Sequence, residues 1–313
     1  MQVSFVIPLY NNLALTRACV GSLQATLPHG LGHEIILVDD GSTDGTRDWL
    51  ATLGPPFRVL LNERNLGYAV ANNRGAALAT GEFLVLLNND LILTPRWLEE
   101  MLAAHRRLGR RTGPLGNVQL DARTGAVDHA GMWVDLQGKP RHWRSLPPRW
   151  SRALFPVRRT FAVTGACLLI ERALWRELGG FDEKFINGGE DVDLCLRARA
   201  RHRPSSVALR SIIRHHISAS PGRKLHDEEN SRRLALLWRN ELARLAARRW
   251  CWHYLDREWT SPHPAIAHRA ARQALLYALH LRRTPPPVAL AGMQAAIEGE
   301  FRRWEKILPP PCS

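Results

Sequence analysis

The sequence predicts an α/β protein whose mixed, mostly parallel sheet is flanked by helices, with a small helical region at its C-terminal end. Two observations predict this fold. Short apolar runs alternate with segments of helical periodicity along the first two thirds of the chain, which is typical of a parallel sheet. Several of these runs also end abruptly in amides and carboxylates, and open α/β sheets bind ligands at the carboxyl ends of their strands.

The predicted strands are apolar runs bounded by turn-forming residues. Phe83–Leu87 is the clearest, because it has no polar residue before Asn88 and therefore suits a strand buried on both faces. In chain order the predicted strands are Gln2–Leu9, Glu34–Val38, Arg58–Asn62, Phe83–Leu87, Phe161–Ile170 and Val207–Arg214.

The predicted helices have apolar residues at spacings of three and four. They occupy Leu15–Leu27, a short segment through Trp49 and Leu50, Ala69–Ala79, Pro95–Leu108, Glu171–Leu178 and Asp191–Arg201. Pro95 suits a first helical position, and Gly179 and Gly180 suit the end of a helix. Between Arg110 and Arg159 the pattern loosens, and we expect β-hairpins there with a mobile loop around Arg141–Phe155.

The C-terminal part of the chain differs in composition, being rich in Arg, Ala, Leu and Trp. We expect a boundary near Ser220–Lys224, which divides the chain into a catalytic domain of residues 1–222 and a basic, amphipathic helical region of residues 223–313. Prolines separate three predicted helices in this region, which are Glu229–Trp250, Ala265–Arg283 and Val288–Trp304.

Composition excludes several classes of protein. The 313 residues have 45% hydrophobic content and a formal net charge of +14, and they contain no apolar run long enough to span a membrane. The N-terminus enters a strand at once, which predicts no signal peptide. Five scattered cysteines predict buried thiols in a reducing cytosol, so a cytoplasmic location is expected. Basic surfaces attract nucleic acid, anionic lipid or anionic substrates, but no nucleic-acid-binding signature accompanies the charge.

The polar strand ends, taken in order, resemble those of the family 2 glycosyltransferases of the GT-A fold, and most closely the bacterial rhamnosyl- and galactosyltransferases of surface polysaccharides. The resemblance covers residues 1–220 and implies a Rossmann-like sheet. The segments that carry it are Val6–Asn11, Val38–Asp44, Asn65–Tyr68, Asn72–Gly75, Leu87–Asp90, Thr164–Ala166, Gly179–Glu183, Glu190–Asp191 and His215–His216.

For the metal, the resemblance implies Mn²⁺ or Mg²⁺ held by Asp90 with His215, and His216 is the alternate histidine. The family pattern has two carboxylates where this chain has Asn88 and Asp90, so metal binding should depend strongly on the nucleotide. Oxygen ligands suit both ions, which usually take one or two carboxylates plus substrate phosphates. The alternative is an ordinary turn that uses Asn and Asp as turn formers.

For the donor, the resemblance implies a UDP- or dTDP-sugar. It implies that Asp40 accepts a hydrogen bond from the ring of the nucleotide base, while Asp39 braces the turn. The alternative for this acidic pair is a helix-capping turn. Asn73 suits either the ribose or phosphates or an ordinary exposed helix position. The remaining residues assigned to the donor are Pro8, Tyr10, Gly67, Asn88 and Asn89.

For the acceptor, the resemblance makes Asp191 the general base that deprotonates a hydroxyl and places Glu190 beside it. An acidic N-terminal turn of a helix is the alternative explanation of this pair. Gly165 and Ala166 would leave room for the acceptor sugar, and His129 suits a structural or acceptor-side position.

The predicted function is therefore inverting, metal-dependent transfer of a sugar to a growing cell-surface or cell-wall glycan, free or lipid-linked. Two rivals are a nucleotidyltransferase of related fold and a degenerate nucleotide-binding scaffold. A nucleotidyltransferase would need a Gly-rich N-terminal loop with a basic residue, which this sequence lacks. The intact Asp40, Asp90 and Asp191 argue against a degenerate scaffold.

The helix predicted over Glu229–Trp250 has a basic face and an apolar one, and Trp238 and Trp250 suit the headgroup level of a membrane. Such a face suits peripheral contact with the anionic inner leaflet of the plasma membrane. It equally suits packing on the catalytic domain or on a second subunit of a homodimer.

Overall fold

A computed structural model describes residues 2–216, 225–260 and 268–309. It has two compact units, the first formed by residues 1–132 and 142–226 and the second by residues 133–141 and 227–313. The first unit confirms the predicted mixed, mostly parallel sheet flanked by helices, and the second contains the C-terminal helices. The predicted boundary at Ser220–Lys224 lies outside the described residues.

The described residues contain ten strands of one large sheet and two strands, the eighth and ninth in chain order, of a separate hairpin. They are β1 (Gln2–Leu9), β2 (Gly32–Asp39), β3 (Phe57–Leu61), β4 (Phe83–Leu87), β5 (Leu91–Ile92), β6 (Leu115–Asp121), β7 (Val127–His129), β8 (Met132–Val134), β9 (Pro140–His142), β10 (Val157–Arg159), β11 (Cys167–Glu171) and β12 (Ser206–His215).

The helices cover the sheet or form the second unit. They are α1 (Leu13–Thr26), α2 (Thr46–Ala51), α3 (Tyr68–Leu78), α4 (Trp97–Leu108), α5 (Arg149–Leu154), α6 (Arg172–Leu178), α7 (Glu190–Ala200), α8 (Asp227–Thr260), α9 (His268–Ala278) and α10 (Pro287–Ile307). A single 3₁₀ turn, Gly109–Arg111, follows α4.

The main sheet has the order β10-β12-β6-β11-β4-β1-β2-β3, with β5 on β12 and β7 on β6. The pairings of β1 with β2 and β4, of β2 with β3, and of β6 with β12 are parallel. The strand β11 runs antiparallel to both β4 and β6. Consequently the C-terminal ends of β1, β2, β4 and β12 and the N-terminal end of β11 lie at one edge of the sheet.

The core explains why the apolar runs became central strands. All five residues of β4 are buried, and one apolar cluster joins β1, β2 and β4 to α1 and α4. On the other face, α3 approaches β1 and β2 closely because of Gly75. A Cβ at this position would lie 2.4 Å from Val6 Cγ1 and 2.8 Å from Val38 Cγ2. The small residues of α3 therefore set the distance between helix and sheet.

Two predicted elements differ from the structure. The strand predicted at Phe161–Ile170 is only Cys167–Glu171, because the residues before it form a non-repetitive segment whose Gly165 N–H bonds to Asp191 rather than to a neighbouring strand. Where β-hairpins were expected, β6 and β7 do pair antiparallel, but β6 also extends into the middle of the main sheet, which was not predicted. The expected loop around Arg141–Phe155 contains the short helix α5.

A carboxylate joins the N-terminal halves of β1 and β2 to the turn before β4. Glu34 Oε1 accepts hydrogen bonds from Ser4 Oγ, Thr80 N and Thr80 Oγ1, and Oε2 accepts from Arg58. Burial alone would raise the pKa of Glu34, but these hydrogen bonds outweigh it and lower the pKa to about 2.

Replacing the Glu34 carboxylate should make the free energy of unfolding depend less on pH. Because the folded-state pKa of Glu34 is depressed, its contribution is full above the unfolded pKa of about 4.5 and is lost as the pH falls towards about 2. Glu34→Gln should therefore lower the free energy of unfolding by about 3 kcal/mol at pH 7, and the gap should close near pH 2. Urea denaturation across pH measures this, with the exposed Glu82→Gln as control. A gap that persists at low pH would contradict it.

The second unit is held by an ion network around Glu228. Its carboxylate accepts hydrogen bonds from Lys139, Arg303 and Trp304 Nε1, and Lys139 also pairs with Glu300 at 3.1 Å. Burial alone would raise the pKa of Glu228, but the hydrogen bonds from Trp304, Arg303 and Lys139 lower it to about 2. The network joins the tip of the β8–β9 hairpin to α8 and α10.

The hairpin also packs on these helices. Gly138 adopts φ +80°, and a Cβ there would lie 2.8 Å from Ile297 Cγ1 on α10. The guanidinium of Arg249 on α8 lies 3.5 Å from the centre of the Trp133 ring, which is a cation–π contact. Residues 133–141 therefore form part of the second unit, far from its helices in sequence.

The apolar side chains of α8 are partly buried and partly exposed. Leu234 and Leu242 are buried, whereas Leu236, Leu237 and Trp252 are about half exposed. The backbone departs from helical geometry at Trp238. The ring of Trp250 stacks on Tyr254 and contacts the backbone of α10 at Gly292.

Cysteines at positions 19, 167, 195 and 251 are free and buried, and burial raises the pKa of Cys19 and Cys195 to about 12. Cys312 lies outside the described residues. Among the helices that the structure describes, none combines the length and the apolar character needed to cross a bilayer.

Candidate active site

A pocket lies at the edge of the sheet where the strand ends meet. It is bordered by the ends of β1, β2 and β4, by the segment leading into β11, and by the loop before α7. The predicted site residues that line it are Pro8, Tyr10, Asp40, Asn88, Asn89, Asp90, Glu190 and Asp191. Folding therefore brings together side chains from four separate segments of the sequence.

Of the two carboxylates that end β2, Asp39 braces the turn. It is fully buried and accepts a hydrogen bond from Arg47 Nε at 2.8 Å, and its two oxygens each lie 3.3 Å from Ser42 N. An arginine and a backbone donor satisfy its charge, so it is not available to a ligand.

Asp40 lines the pocket and also organises the loop before α3. It accepts hydrogen bonds from Asn62 Nδ2 at 2.7 Å and from the backbone N–H groups of Leu66 and Gly67 at 2.9 Å. A carboxylate offers about four acceptor positions, and these bonds use three. One position is left for a donor in the pocket, such as the ring N–H of a pyrimidine base.

Gly67 is placed behind Asp40 rather than in the pocket lining. Its φ of +95° begins α3 in a conformation that favours glycine, and its N–H is directed at the Asp40 carboxylate. Tyr10, at the end of β1, keeps 46% of its side chain exposed at the mouth of the pocket, where its ring offers a flat face.

Asn73 lies outside the group that lines the pocket, in contrast to its predicted position at the nucleotide. Its Nδ2 donates to Phe181 O and to Glu183 Oε1, and its Oδ1 accepts from Phe181 N. The side chain therefore anchors the loop before α7 to α3. This corresponds to the structural alternative for Asn73, which the sequence left open.

Asp90 and His215 meet at the centre of the sheet edge. Their side chains are 11% and 3% exposed, and Asp90 Oδ1 lies 3.2 Å from His215 Nε2. The pairing of β5 with β12, in which Leu91 is opposite His215, produces this approach. His216 contributes its backbone N–H to Asp90 O at 3.0 Å, so it is the ring of His215 that lies beside the carboxylate.

These residues fit a divalent metal. Although Asp90 Oδ1 and His215 Nε2 are close, neither they nor Asn88 Oδ1 has a hydrogen-bond partner among the described residues. Buried polar atoms are normally paired, so these atoms are suited to contact a bound group. Carboxylate and imidazole together suit Mn²⁺, and oxygen ligands suit Mg²⁺.

The protein alone would hold such an ion weakly. Within the part of the chain that the structure describes, no cluster of three or more His, Cys, Asp or Glu side chains could hold a metal. Asn89 Nδ2 donates to Thr16 Oγ1, which fixes the turn that presents Asp90. The missing ligands would have to come from a substrate, and diphosphate oxygens are suitable.

Asp191 is held in the first turn of α7 by two backbone donors. Gly165 N donates to Oδ2 at 2.8 Å, and Val192 N donates to Oδ1 at 2.7 Å. Each carboxylate oxygen keeps a second lone pair, so the group is oriented and still able to accept a proton. The helix dipole also stabilises negative charge at this end of α7.

Glu190 precedes it and is nearly buried, with 5% of the residue exposed. Its Oε2 accepts from Gly188 N at 2.8 Å, which closes the glycine turn before the helix. Gly189 adopts φ +96° there and lets the chain enter α7.

His129 is fully buried on β7 beside the ring of His142, whose centroid lies 4.7 Å away. Burial, with a smaller contribution from His142 and then from His215, lowers the pKa of His129 well below its usual value. It does not line the pocket, so a structural position is the one observed.

Tyr68 is a pocket residue whose role was not assigned from the sequence. Its hydroxyl donates to Gly165 O at 2.9 Å, and a Cβ at Gly165 would lie 3.0 Å from that hydroxyl and 3.5 Å from Asp191 Cβ. The signal was available, because an aromatic residue follows the glycine that begins α3.

Comparison with known proteins identifies the class. Residues 4–126 match the family model described as Glycosyl transferase family 2. The structure of GalNAc-T7 with UDP, GalNAc and Mn²⁺ shares the fold, with a TM-score of 0.61, 18% identity, and coverage of 87% of this chain and 54% of that one. At this identity the likeness concerns the fold alone.

Two curated relatives agree with the family. The O-antigen biosynthesis protein RfbC of Myxococcus xanthus is 32% identical over 70% of this chain and 18% of its own length. The N-acetylglucosaminyl-diphospho-decaprenol L-rhamnosyltransferase of Mycobacterium tuberculosis (strain H37Rv) is 29% identical over 60% of this chain and 68% of its own. The chain spans about a quarter of the length of one further relative, an uncharacterized protein of Sinorhizobium fredii, and about a fifth of the length of RfbC. The matched segment, residues 4–126, is a glycosyltransferase family 2 domain.

Proposed function

We propose that this protein is an inverting, metal-dependent glycosyltransferase. It would move a sugar from a UDP- or dTDP-sugar to a hydroxyl of a growing cell-surface or cell-wall glycan. The carrying observation is that two different carboxylate environments line one pocket, one at Asp90 beside His215 and the other at Asp191 on α7. The first suits a diphosphate with its metal, and the second suits a proton acceptor.

On the donor side, Asp40 would accept from the base through its remaining lone pair, and Tyr10 and Pro8 would cover the ring. Asp90 and His215 would hold Mn²⁺ or Mg²⁺ together with the diphosphate. When bound, the ion would neutralise charge on the leaving diphosphate. The backbone bonds that already orient Asp40 and the turn at Asn89 reduce the cost of ordering these groups when the donor binds.

On the acceptor side, the Asp191 carboxylate would accept the proton of the attacking hydroxyl while its bonds to Gly165 N and Val192 N keep it in place. Glu190 would fix the loop that borders the acceptor. Gly165 would leave space next to the base, because any Cβ there meets Tyr68 and Asp191. The hydroxyl oxygen would form the new bond to the anomeric carbon as the diphosphate leaves.

The acceptor is proposed to be a glycan or a lipid-linked glycan, because the mycobacterial relative is named for a diphospho-decaprenol acceptor. The enzyme would then work at the inner face of an anionic plasma membrane, as a peripheral protein. On α8, Leu234 and Leu242 are buried and so are not available to lipid, whereas Leu236, Leu237 and Trp252 are about half exposed. A homodimer would be the other use of its exposed Leu237.

A donor screen tests the proposed function. UDP- and dTDP-sugars are incubated with the protein and Mn²⁺, and release of the nucleoside diphosphate is measured with and without EDTA. At least one donor should be hydrolysed slowly in a metal-dependent manner. Thermal stabilisation by donors without any hydrolysis or transfer would instead indicate a nucleotide-binding scaffold.

A further inference from the structure

A compact apolar patch lies on the first unit between β9 and β10. Trp150, Leu154 and Phe155 keep 68%, 62% and 66% of their side chains exposed. Single exposed apolar residues are ordinary on protein surfaces, but a cluster of large ones usually marks an interaction site. These three residues stand within six positions of each other, and the site chemistry above does not use them.

The helix α5 separates apolar from cationic side chains. At about 100° per residue, Trp150 and Leu154 lie about 40° apart on the helix, Arg149 lies about 100° from Trp150 at the side of this face, and Arg152 lies opposite. Phe155 follows directly, where the helix ends. An aromatic and aliphatic face beside arginines is the pattern of elements that lie in a membrane interface, and Trp and Phe suit the headgroup boundary.

In the stretch of chain around the patch, every charged side chain other than histidine is an arginine. From residue 142 to residue 170 the chain contains five arginines and no acidic residue. Among the described residues neither Arg149 nor Arg152 has an ion-pair partner. Arg144 has Asp128 at 3.8 Å, with 74% of its own side chain exposed. The patch is therefore suited to a partner that combines negative charge with an apolar interior.

Strand register places the patch on the active-site side of the sheet. β10 runs antiparallel to β12 with Val157 opposite Ala208, and Pro156 O accepts from Leu209 N. Residues before Val157 therefore lie beside the part of β12 that leads to His215. A binding partner that contacts Trp150, Leu154 and Phe155 would therefore lie near the same edge of the sheet as the pocket.

We propose that α5 and Phe155 form the element through which this protein inserts into the headgroup region of an anionic bilayer. The inference rests on the proposed function in one respect, because a lipid-linked acceptor requires the enzyme to work at a membrane. The apolar side chains enter the interface, and the surrounding arginines pair with anionic headgroups near the surface.

A second copy of the chain fits this patch less well. A two-fold dimer would place the arginine-rich patch against itself, and like charges repel at close range. The adjacent edge strand β10 is three residues long and carries Arg158 and Arg159, which is typical of an edge protected against pairing. Nucleic acid is also a less suitable partner. The patch has aromatic rings and positive charge, but Leu154 offers no surface on which a base could stack.

Vesicle flotation of the full chain tests the inference. The probes are phosphatidylcholine vesicles with about one third phosphatidylglycerol, and pure phosphatidylcholine vesicles, at low and high salt. Wild type should float with the anionic vesicles at low salt only. The triple variant W150A/L154A/F155A should lower the bound fraction, expressed as a partition coefficient, by at least about tenfold. Arg149→Glu should weaken binding in the same direction.

A matched control removes three other exposed apolar side chains. L275A/L279A/L281A, on and after α9, changes side chains that are 43–72% exposed and should float as wild type does. Metal-dependent hydrolysis of a soluble donor, measured on every variant, should stay unchanged and shows that the pocket is intact. It also separates failure of this inference from failure of the proposed function.

The inference is overturned by wild type that stays at the bottom of the gradient with anionic vesicles. It is equally overturned by a triple variant that floats normally, or by a control variant that loses as much binding. Loss of a dimer or of oligonucleotide binding in the triple variant, with no vesicle binding in wild type, would assign the patch to that other partner.

Discussion

Replacing Asp191 by asparagine should lower turnover by roughly 10²–10⁴-fold, which is the usual contribution of a positioned general base. The amide oxygen can still accept from Gly165 N, so the pocket and donor affinity should change little. Transfer to an acceptor, followed under saturating donor, measures the effect, and calorimetry with the nucleoside diphosphate measures donor-side binding.

Asp193 provides a control in the same turn of α7. Asp193→Asn removes the same charge, but this side chain pairs with Arg197 Nε at 2.7 Å and does not line the pocket. It should cost stability and spare most turnover. Near wild-type turnover in Asp191→Asn would place the base elsewhere, and Glu190→Gln would be the next variant to test.

Replacing Asp90 by asparagine should abolish the metal dependence of donor binding. The variant keeps His215 but has only amide side chains at positions 88 and 90, so no carboxylate remains to hold the ion. The affinity for a nucleoside diphosphate measured with Mn²⁺ should therefore fall at least about 100-fold, to the affinity measured in EDTA. The two adjacent histidines provide a variant and its control, since the His215 ring lies beside Asp90 whereas His216 contacts Asp90 through its backbone N–H. His215→Ala should weaken Mn²⁺-dependent binding of the nucleoside diphosphate, and His216→Ala should leave that binding close to wild type.

The same site predicts that metal and nucleotide bind together. Asp90 and His215 supply only two protein ligands, so Mn²⁺ titrated into the protein alone should bind much more weakly than in the presence of a nucleoside diphosphate. Calorimetry in both conditions measures this coupling. Equal metal affinity with and without the nucleotide would contradict the site.

The polar strand ends were predictable because each follows a mainly apolar run bounded by turn-forming residues, which favours a strand. Asp90 after Phe83–Leu87 is the clearest case, and its neighbour across the sheet edge, His215, follows another such run. Parallel strands place their ends at one edge, so sequence alone could bring these side chains together.

Two features could not be predicted in this way. Asn73 pairs with Phe181, which is 108 positions away, and no local pattern distinguishes such an anchor from a ligand contact. The strand β6 pairs antiparallel with β7 as a hairpin, but its place between β11 and β12 was not predicted because Asn117 and Gln119 interrupt its apolar pattern. Both residues are buried in the sheet, and Asn117 contacts Ser211 on β12.

The β8–β9 hairpin has a consequence for synthesis of the chain on the ribosome. Lys139 has its partners at Glu228 and Glu300, so the hairpin emerges about 90 residues before the first of them. At about 5–20 residues per second, the hairpin waits for several seconds without those partners. A nascent chain that stalls in α8 would leave the hairpin uncovered and open to chaperones.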